Sequence, residues 1–288
     1  MDRMHDGLRL VAYNFLSGGS AKRAGQWSRV MRTLGPDVVF GQECRPPGEC
    51  RGESFRPAAE DSFVWRPAGE ARRWGTGVLV RAGRLAPIAV PQFDGWVVGG
   101  EIRSSRWSAR PVRIFSVHGP AGERGYVRTM HAILDRILDI KGHADLILGG
   151  DFNVAVGRRP ADDPRPFSRG ERELLDRIDR ELDLISCWQT ANPGRRLAQT
   201  LRWCRNPNIP YHCDGIFVPR AWSPRLASCR VVRGPRWTLL SDHNPVLVEL
   251  RHEDTVLSSR GNRAEAHACN RSVAGSRRSS RPKRTCCP

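Results

Sequence analysis

An α/β fold with many short strands and few helices is predicted by three features of this 288-residue sequence. Runs rich in Val, Ile, Leu and Phe recur from Arg9 to about Leu250, each closed by turn residues. Only two or three stretches carry an apolar stripe at helical spacing. Because strands outnumber helices, a repeated strand-helix-strand parallel sheet is disfavoured.

Taken in order, strands are expected at residues 8–15, 37–42, 77–81, 95–103, 112–118, 145–151, 199–204, 212–218, 228–232 and 246–250. Helices fit residues 24–34, where Trp27, Val30, Met31 and Leu34 share a face, and residues 126–140, where Val127, Met130, Ile133, Leu134, Ile137 and Leu138 do so. A third fits residues 172–184, with Leu174, Leu175, Ile178 and Leu182 on one side and Ile185 continuing the stripe. All three stripes are read as core. The segment RRPADDPRPFSR, residues 158–169, holds three prolines and reads as a surface loop. From His252 onward the large aliphatics are Val256, Leu257 and Val273 alone, so residues 252–288 are expected to form a disordered basic tail behind a domain of residues 1–251. Truncation after Arg251 should then leave folding intact.

Apolar residues make up 39% of the chain, which excludes disorder throughout, and no apolar run approaches the roughly 18 residues of a membrane helix. The start, MDRMHDGLRLVAYNF, lacks the pattern of a secretory signal, so a cytoplasmic location is expected. The 47 basic and 30 acidic residues give a net charge of +17, which suits a polyanionic partner. Only Lys22, Lys141 and Lys283 are lysines, and an arginine skew of this kind also follows from a GC-rich genome. Nine cysteines, odd in number and without a CxxC pair, argue against structural zinc and for reduced thiols. No GxxxxGK[ST] loop is present. Two basic-aromatic clusters, Trp65-Arg66 with Arg72-Arg73-Trp74 and Arg103 to Arg113 with Trp107, fit either a nucleic-acid surface or ordinary packing at sheet edges.

Polar groups of catalytic type recur at the carboxyl ends of the expected strands: Asn14, Glu43, His118, Asp151, Asn153, Asp214, and finally Asp242 with His243. Singly, each has a dull explanation as a turn cap, a solvated strand end or a satisfied core histidine. As an ordered series they do not.

That series, carried by YNFLSG, VVFGQE, the strand ending at His118, GGDFN, HCDGIFV and SDHNP, resembles the successive motifs of the metal-dependent endonuclease/exonuclease/phosphatase superfamily. Its members include deoxyribonuclease I, abasic-site endonucleases, poly(A) deadenylases, neutral sphingomyelinases and inositol polyphosphate 5-phosphatases. The resemblance implies a four-layer α/β sandwich, two mainly antiparallel sheets flanked by helices, with one site at one edge. It implies Mg²⁺ or Mn²⁺ as cofactor, with Glu43, Asn14 and Asp242 as metal-binding residues. Among the catalytic residues it implies, Asp151 orients or deprotonates the attacking water and Asn153 donates to the phosphate. His243, held by Asp214, stabilises developing charge or transfers a proton, and His118 contacts the phosphate. The GTGVLVR strand supplies no acidic partner for His118, unlike its deoxyribonuclease I-like counterparts. The longer N-terminal signature and aromatic insertion of exonuclease III-type proteins are also not evident, which ranks abasic-site repair lower.

Three functions follow from this reading. A nuclease acting on DNA or RNA ranks first, a phosphodiesterase or phosphatase of a lipid or small phosphoester second, and a non-catalytic nucleic-acid-binding protein third. The retained Glu43 and His243 count against the last.

Overall fold

The computed structural model describes residues 7–18, 24–103, 107–123, 125–158, 168–202 and 210–252. The first part of the chain forms β1 (Gly7–Asn14), α1 (Gln26–Leu34), β2 (Val38–Cys44), β3 (Ser62–Pro67), β4 (Gly75–Val80), β5 (Leu85–Ile88), β6 (Val97–Ile102) and β7 (Val112–His118). It continues through α2 (Tyr126–Lys141), β8 (Asp145–Asp151), α3 (Arg169–Arg180), β9 (Leu184–Ser186), α4 (Cys187–Ala191), β10 (Leu201–Arg202) and β11 (Pro210–Tyr211). The last elements are β12 (Asp214–Pro219), β13 (Leu226–Val231), α5 (Pro235–Thr238) and β14 (Val246–Arg251).

Two six-stranded sheets result, one ordered β13-β14-β1-β2-β4-β3 and the other β5-β6-β7-β8-β12-β9. Each is antiparallel except for one central parallel pair, β1 with β2 and β7 with β8. A parallel pair needs a crossover, and α1 and α2 supply these. The carboxyl ends of the four central strands therefore lie at the ends where the crossovers leave and the site loops begin.

Residue parity then assigns the faces. Leu8, Leu10 and Ala12 of β1, Val38 and Phe40 of β2, Ile114 of β7, Ile147 of β8 and Ile216 of β12 fill one core between the sheets. Their odd-numbered or even-numbered neighbours point outward. Val11, Val39 and Leu79 pack with Trp27, Val30 and Leu34 of α1. Phe115, Leu146, Leu148 and Phe217 pack with Met130, Ile133 and Ile137 of α2 and with Leu174, Leu175 and Ile178 of α3. Helix, sheet, sheet and helices make four layers, the sandwich that the sequence motifs imply.

The differences from the sequence reading have local causes. Pro67 ends β3 and Pro87 lies within β5, so both edge strands carry a signal against strand formation. The third helix begins earlier, because Ser168 accepts from Glu171 N while the Glu171 side chain returns to Ser168 N, a capping box. Residues 168 and 169 thus leave the proposed loop, whose residues 159–167 lie outside the described ones. The helix also stops at Arg180, and with Asp183 left-handed at φ 56° the apolar stripe passes into β9. Leu138 is 40% exposed and leaves the α2 core stripe. The expected strand at 199–204 is described only as Leu201–Arg202, and the proposed tail beyond His252 lies outside the described residues.

One glycine sets how closely the sheets approach. A Cβ on Gly149 would lie 2.4 Å from the Phe40 ring across the inter-sheet core. Gly149→Ala is expected to destabilise the fold by about 1–3 kcal/mol through overpacking, read as a lower urea midpoint at unchanged slope.

Candidate active site

The parity that builds the inter-sheet core also aims the candidate catalytic groups. His118, Asp151 and Asp214 are partners in one row across the second sheet, His118 opposite Asp151 and Asp151 opposite Asp214. Each has the parity of the inter-sheet residues on its own strand, as do Asn14 and Gln42 on the first sheet. Below the site Gln42 Nε2 donates to Ser116 Oγ at 2.8 Å, joining the two sheets.

Glu43 has the wrong parity for this cleft. Continued extension of β2 would send it to the α1 side with Val39. Instead it adopts a left-handed conformation at φ 45°, beside a break in the β2-β4 register between Gly41 and Cys44. Its carboxylate accepts from Asn14 Nδ2 at 3.3 Å, from Ser17 N at 2.9 Å and from Ser17 Oγ at 3.1 Å. Leu16, Ser17 and Asn153 are left-handed too, at φ 49°, 54° and 52°. Backbone strain of this kind is common where geometry serves chemistry.

Asn14 ties the sheets' carboxylates together, since its Nδ2 also donates to Asp151 Oδ2 at 3.0 Å and its Oδ1 accepts from Leu16 N. Asp151 accepts from Asn153 N at 3.0 Å. Burial, and after it the Asp214 charge, raise the Asp151 pKa, while His243 and His118 pull it down. Asn153 Nδ2 donates one hydrogen to Gly119 O at 2.9 Å, leaving its second amide hydrogen for another acceptor.

His243 donates from Nδ1 to Asp214 at 2.9 Å, which places Nε2 3.7 Å from Asp151 Oδ2 and 3.9 Å from Asp242 Oδ1. Burial alone would lower its pKa, but Asp214 and then Asp151 outweigh it and raise the value to about 10. These carboxylates favour the protonated ring. Three residues that were not among the candidates hold this arrangement, of which only Ser241 lies in a quoted motif, SDHNP. Thr200 Oγ1 accepts from both Cys213 N and Asp214 N, and Ser241 Oγ donates to Asn14 O while accepting from His243 N. Arg202 reaches across to Asn244 Oδ1 and Ser241 O.

His118 is neutral by contrast. Burial lowers its pKa to about 4, with Asp151 opposing and His243 and Arg72 adding to the effect. Its Nε2 is 3.9 Å from Glu43 Oε1, and its Nδ1 is buried without a hydrogen-bond partner, in keeping with the missing acidic residue on β4. Its ring lies against Trp96 at 5.1 Å and Trp74 at 5.7 Å. Of the two basic-aromatic clusters, the second dissolves into the core: Trp107 is buried among the inter-sheet residues. Trp65 is likewise committed, its Nε1 donating to Cys44 O.

A divalent cation fits the donors present. Glu43 and Asp242 offer hard oxygens, and Asp242 Oδ1 is buried with no hydrogen-bond partner. The tightest cluster of ligand-type atoms among the described residues is a different set, Asp151, Cys213, Asp214 and His243, all within 4.8 Å of one another. Burial holds the Cys213 thiol well above its usual pKa, Asp214 and Asp151 raise that of His243, and Cys213 Sγ and His243 Nδ1 both reach Asp214, so the set is also a hydrogen-bonded network.

A model of the endonuclease/exonuclease/phosphatase family matches residues 11–243, the span that carries every candidate site residue from Asn14 to His243. The chain belongs to that family. The family is generally divalent-metal dependent and hydrolyses phosphoesters. Among solved structures, the fold of this family member is similar to the endonuclease domain of TRAS1, a telomere-specific non-LTR retrotransposon, at 16% identity and TM-score 0.59 over 86% of this chain and 99% of that one. It is also similar to an endonuclease/exonuclease/phosphatase from Bacteroides vulgatus, at 18% identity and TM-score 0.60 over 85% and 99% of the two chains. An AP endonuclease from Leishmania major matches at 16% identity and TM-score 0.62, over 85% of this chain and 88% of that one. No match is found among curated protein sequences. No helix of the described residues is long and apolar enough to cross a membrane.

Near the site, His212 is buried, with Nδ1 donating to Ala198 O and Nε2 unpartnered. Burial lowers its pKa to about 4. The unfolded chain therefore binds a proton more readily between pH 6.5 and 4, and stability falls as pH drops through that window. His212→Leu is expected to flatten this slope, measured by urea unfolding at pH 7 and pH 5.

Proposed function

We propose that this family member is a Mg²⁺- or Mn²⁺-dependent phosphodiester hydrolase acting on DNA or RNA. The observation that carries the reading is the row His118, Asp151 and Asp214 on one sheet, facing Asn14 and Glu43 on the other, with His243 spanning Asp214 and Asp151. The net charge of +17 supports a polyanionic substrate. The five described cysteines are unpaired, which supports a reducing compartment and hence a cytoplasmic location.

Glu43, with Asn14 and Asp242 directly or through water, would hold the cation, which when bound supplies charge to the phosphoryl oxygens. Asp151, an acceptor whose other bonds fix its plane, orients the attacking water and takes its proton. The second amide hydrogen of Asn153 and the neutral His118 contact the phosphate. The His243 cation faces charge that accumulates as the leaving oxygen departs, and Asp214 keeps both its charge and its orientation.

The test is hydrolysis of bis(p-nitrophenyl) phosphate and plasmid DNA. Activity is expected with Mg²⁺ or Mn²⁺ and is lost in EDTA, and equal turnover after thorough chelation would overturn the reading. Glu43→Gln is expected to need a higher metal concentration for half-maximal rate and to recover partly at saturation, because its defect lies in metal affinity.

A further inference from the structure

Beside His118 lies a built arrangement that the hydrolytic residues do not use. The guanidinium of Arg72 sits 4.6 Å from the Trp74 ring centre and 5.6 Å from that of Trp96. The two indoles meet edge to face at 5.9 Å and 84°. Both also touch the His118 ring, so one layer of aromatic rings separates the arginine from a group facing the scissile phosphate.

The arrangement comes from two segments distant in sequence. A turn closed by Arg72 N donating to Gly69 O and Ala68 N donating to Trp74 O carries Arg72 and Trp74 between β3 and β4. Trp96 comes from the segment before β6, held by His118 N donating to its carbonyl at 2.8 Å. The segments meet at Gly95, left-handed at φ 76°, where a Cβ would lie 1.8 Å from Pro67 O. The Arg66–Asp94 ion pair at 3.9 Å spans the same junction. Arg72 is exposed, and among the described residues no carboxylate pairs with it.

A guanidinium laid on an aromatic ring spends its flat face there and keeps its in-plane N–H donors for a planar or tetrahedral anion. Its rotamer is also restrained before the anion arrives, which cuts the entropy lost on binding. We propose that Arg72, held over Trp74 with Trp96 beside it, is a subsite for a second phosphate, the one next to the scissile phosphodiester in a nucleic-acid strand. A single phosphoester cannot occupy both positions. This rests on the hydrolase reading above and narrows it to a polynucleotide.

The experiment uses the full-length protein, Arg72→Ala and Arg72→Lys, with a fluorescein-labelled single-stranded oligonucleotide. Binding is measured by anisotropy in EDTA across a salt series, independently of hydrolysis. Arg72→Ala is expected to weaken binding about tenfold and to reduce the slope of log Kd against log salt by about 0.7, the loss of one phosphate contact on a single strand. Arg72→Lys is expected to restore the slope and not the affinity, since an ammonium keeps the charge without the stacked fork. In the presence of metal, the ratio of kcat/KM for the oligonucleotide to that for bis(p-nitrophenyl) phosphate is expected to fall about tenfold in Arg72→Ala, through KM. An unchanged salt slope, or equal losses on both substrates, would overturn the subsite, as would wild-type protein that does not bind the oligonucleotide. A wild type that binds with the expected Arg72 slope but cleaves neither substrate sinks the hydrolase reading and leaves the subsite standing. Trp96→Phe, which keeps a ring beside the guanidinium, is expected to retain the slope and to show by its melting curve that the loop junction is intact.

Discussion

Replacing His243 with alanine is expected to lower turnover of bis(p-nitrophenyl) phosphate by a factor on the order of 10² or more, the loss typical of a missing acid/base group. The ring is buried, held by Asp214 at 2.9 Å and directed at Asp151 at 3.7 Å, and the other imidazole of the described site, His118, has its pKa lowered to about 4 by burial. A subtler variant separates charge from presence. Asp214→Asn removes the first of the groups that raise the His243 pKa, leaving burial to pull it down. If His243 governs the alkaline limb of the pH-rate profile, that limb is then expected to move to lower pH. The sign for stability follows. His243 is more basic folded than unfolded, so its contribution is whole below about pH 6.5 and declines as pH rises toward 10. An alkaline limb that Asp214→Asn leaves in place would show that the pair does not govern the reaction.

Asp151→Asn is expected to abolish activity to a similar degree and at the same time to make the protein melt at a higher temperature at pH 7 in EDTA. The asparagine keeps the shape, but its single carbonyl oxygen can accept from only one of Asn14 Nδ2 and Asn153 N, which reach different oxygens of Asp151, and it cannot take a proton from water. Stability should rise because burial and the neighbouring Asp214 disfavour the ionised carboxylate, as its raised pKa records. A variant that loses both turnover and melting temperature would mean that Asp151 is held chiefly for structure. Calorimetry beside the activity assay distinguishes the two.

The expectation for Asp151 rests on GGDFN read within the ordered series of motifs, and the strand at 145–151 coincides with β8 to the residue, as the strand at 112–118 does with β7. Such strands are buried on both faces, so their apolar runs are continuous and sharply bounded by polar ends. Edge strands β3 and β5 carry prolines and half-exposed residues, and the same pattern does not reveal them. Trp107 shows the reverse error, a basic-aromatic cluster whose aromatic member is core.

What the amino-acid order determined by itself is the alternation of apolar side chains and the candidate site residues at the ends of several strands. Two-residue periodicity and turn chemistry are local, so they also set the shared parity that turns Asn14, His118, Asp151 and Asp214 toward one cleft once two sheets stack. The tertiary structure alone decided the rest. The left-handed turn brings Glu43 in against its parity, Thr200 and Ser241 brace Asp214 and His243, and Gly95 lets Trp96 reach Trp74. These depend on register, on the close approach of segments far apart in the chain, and on hydrogen bonds between residues whose identities carry no periodic signal.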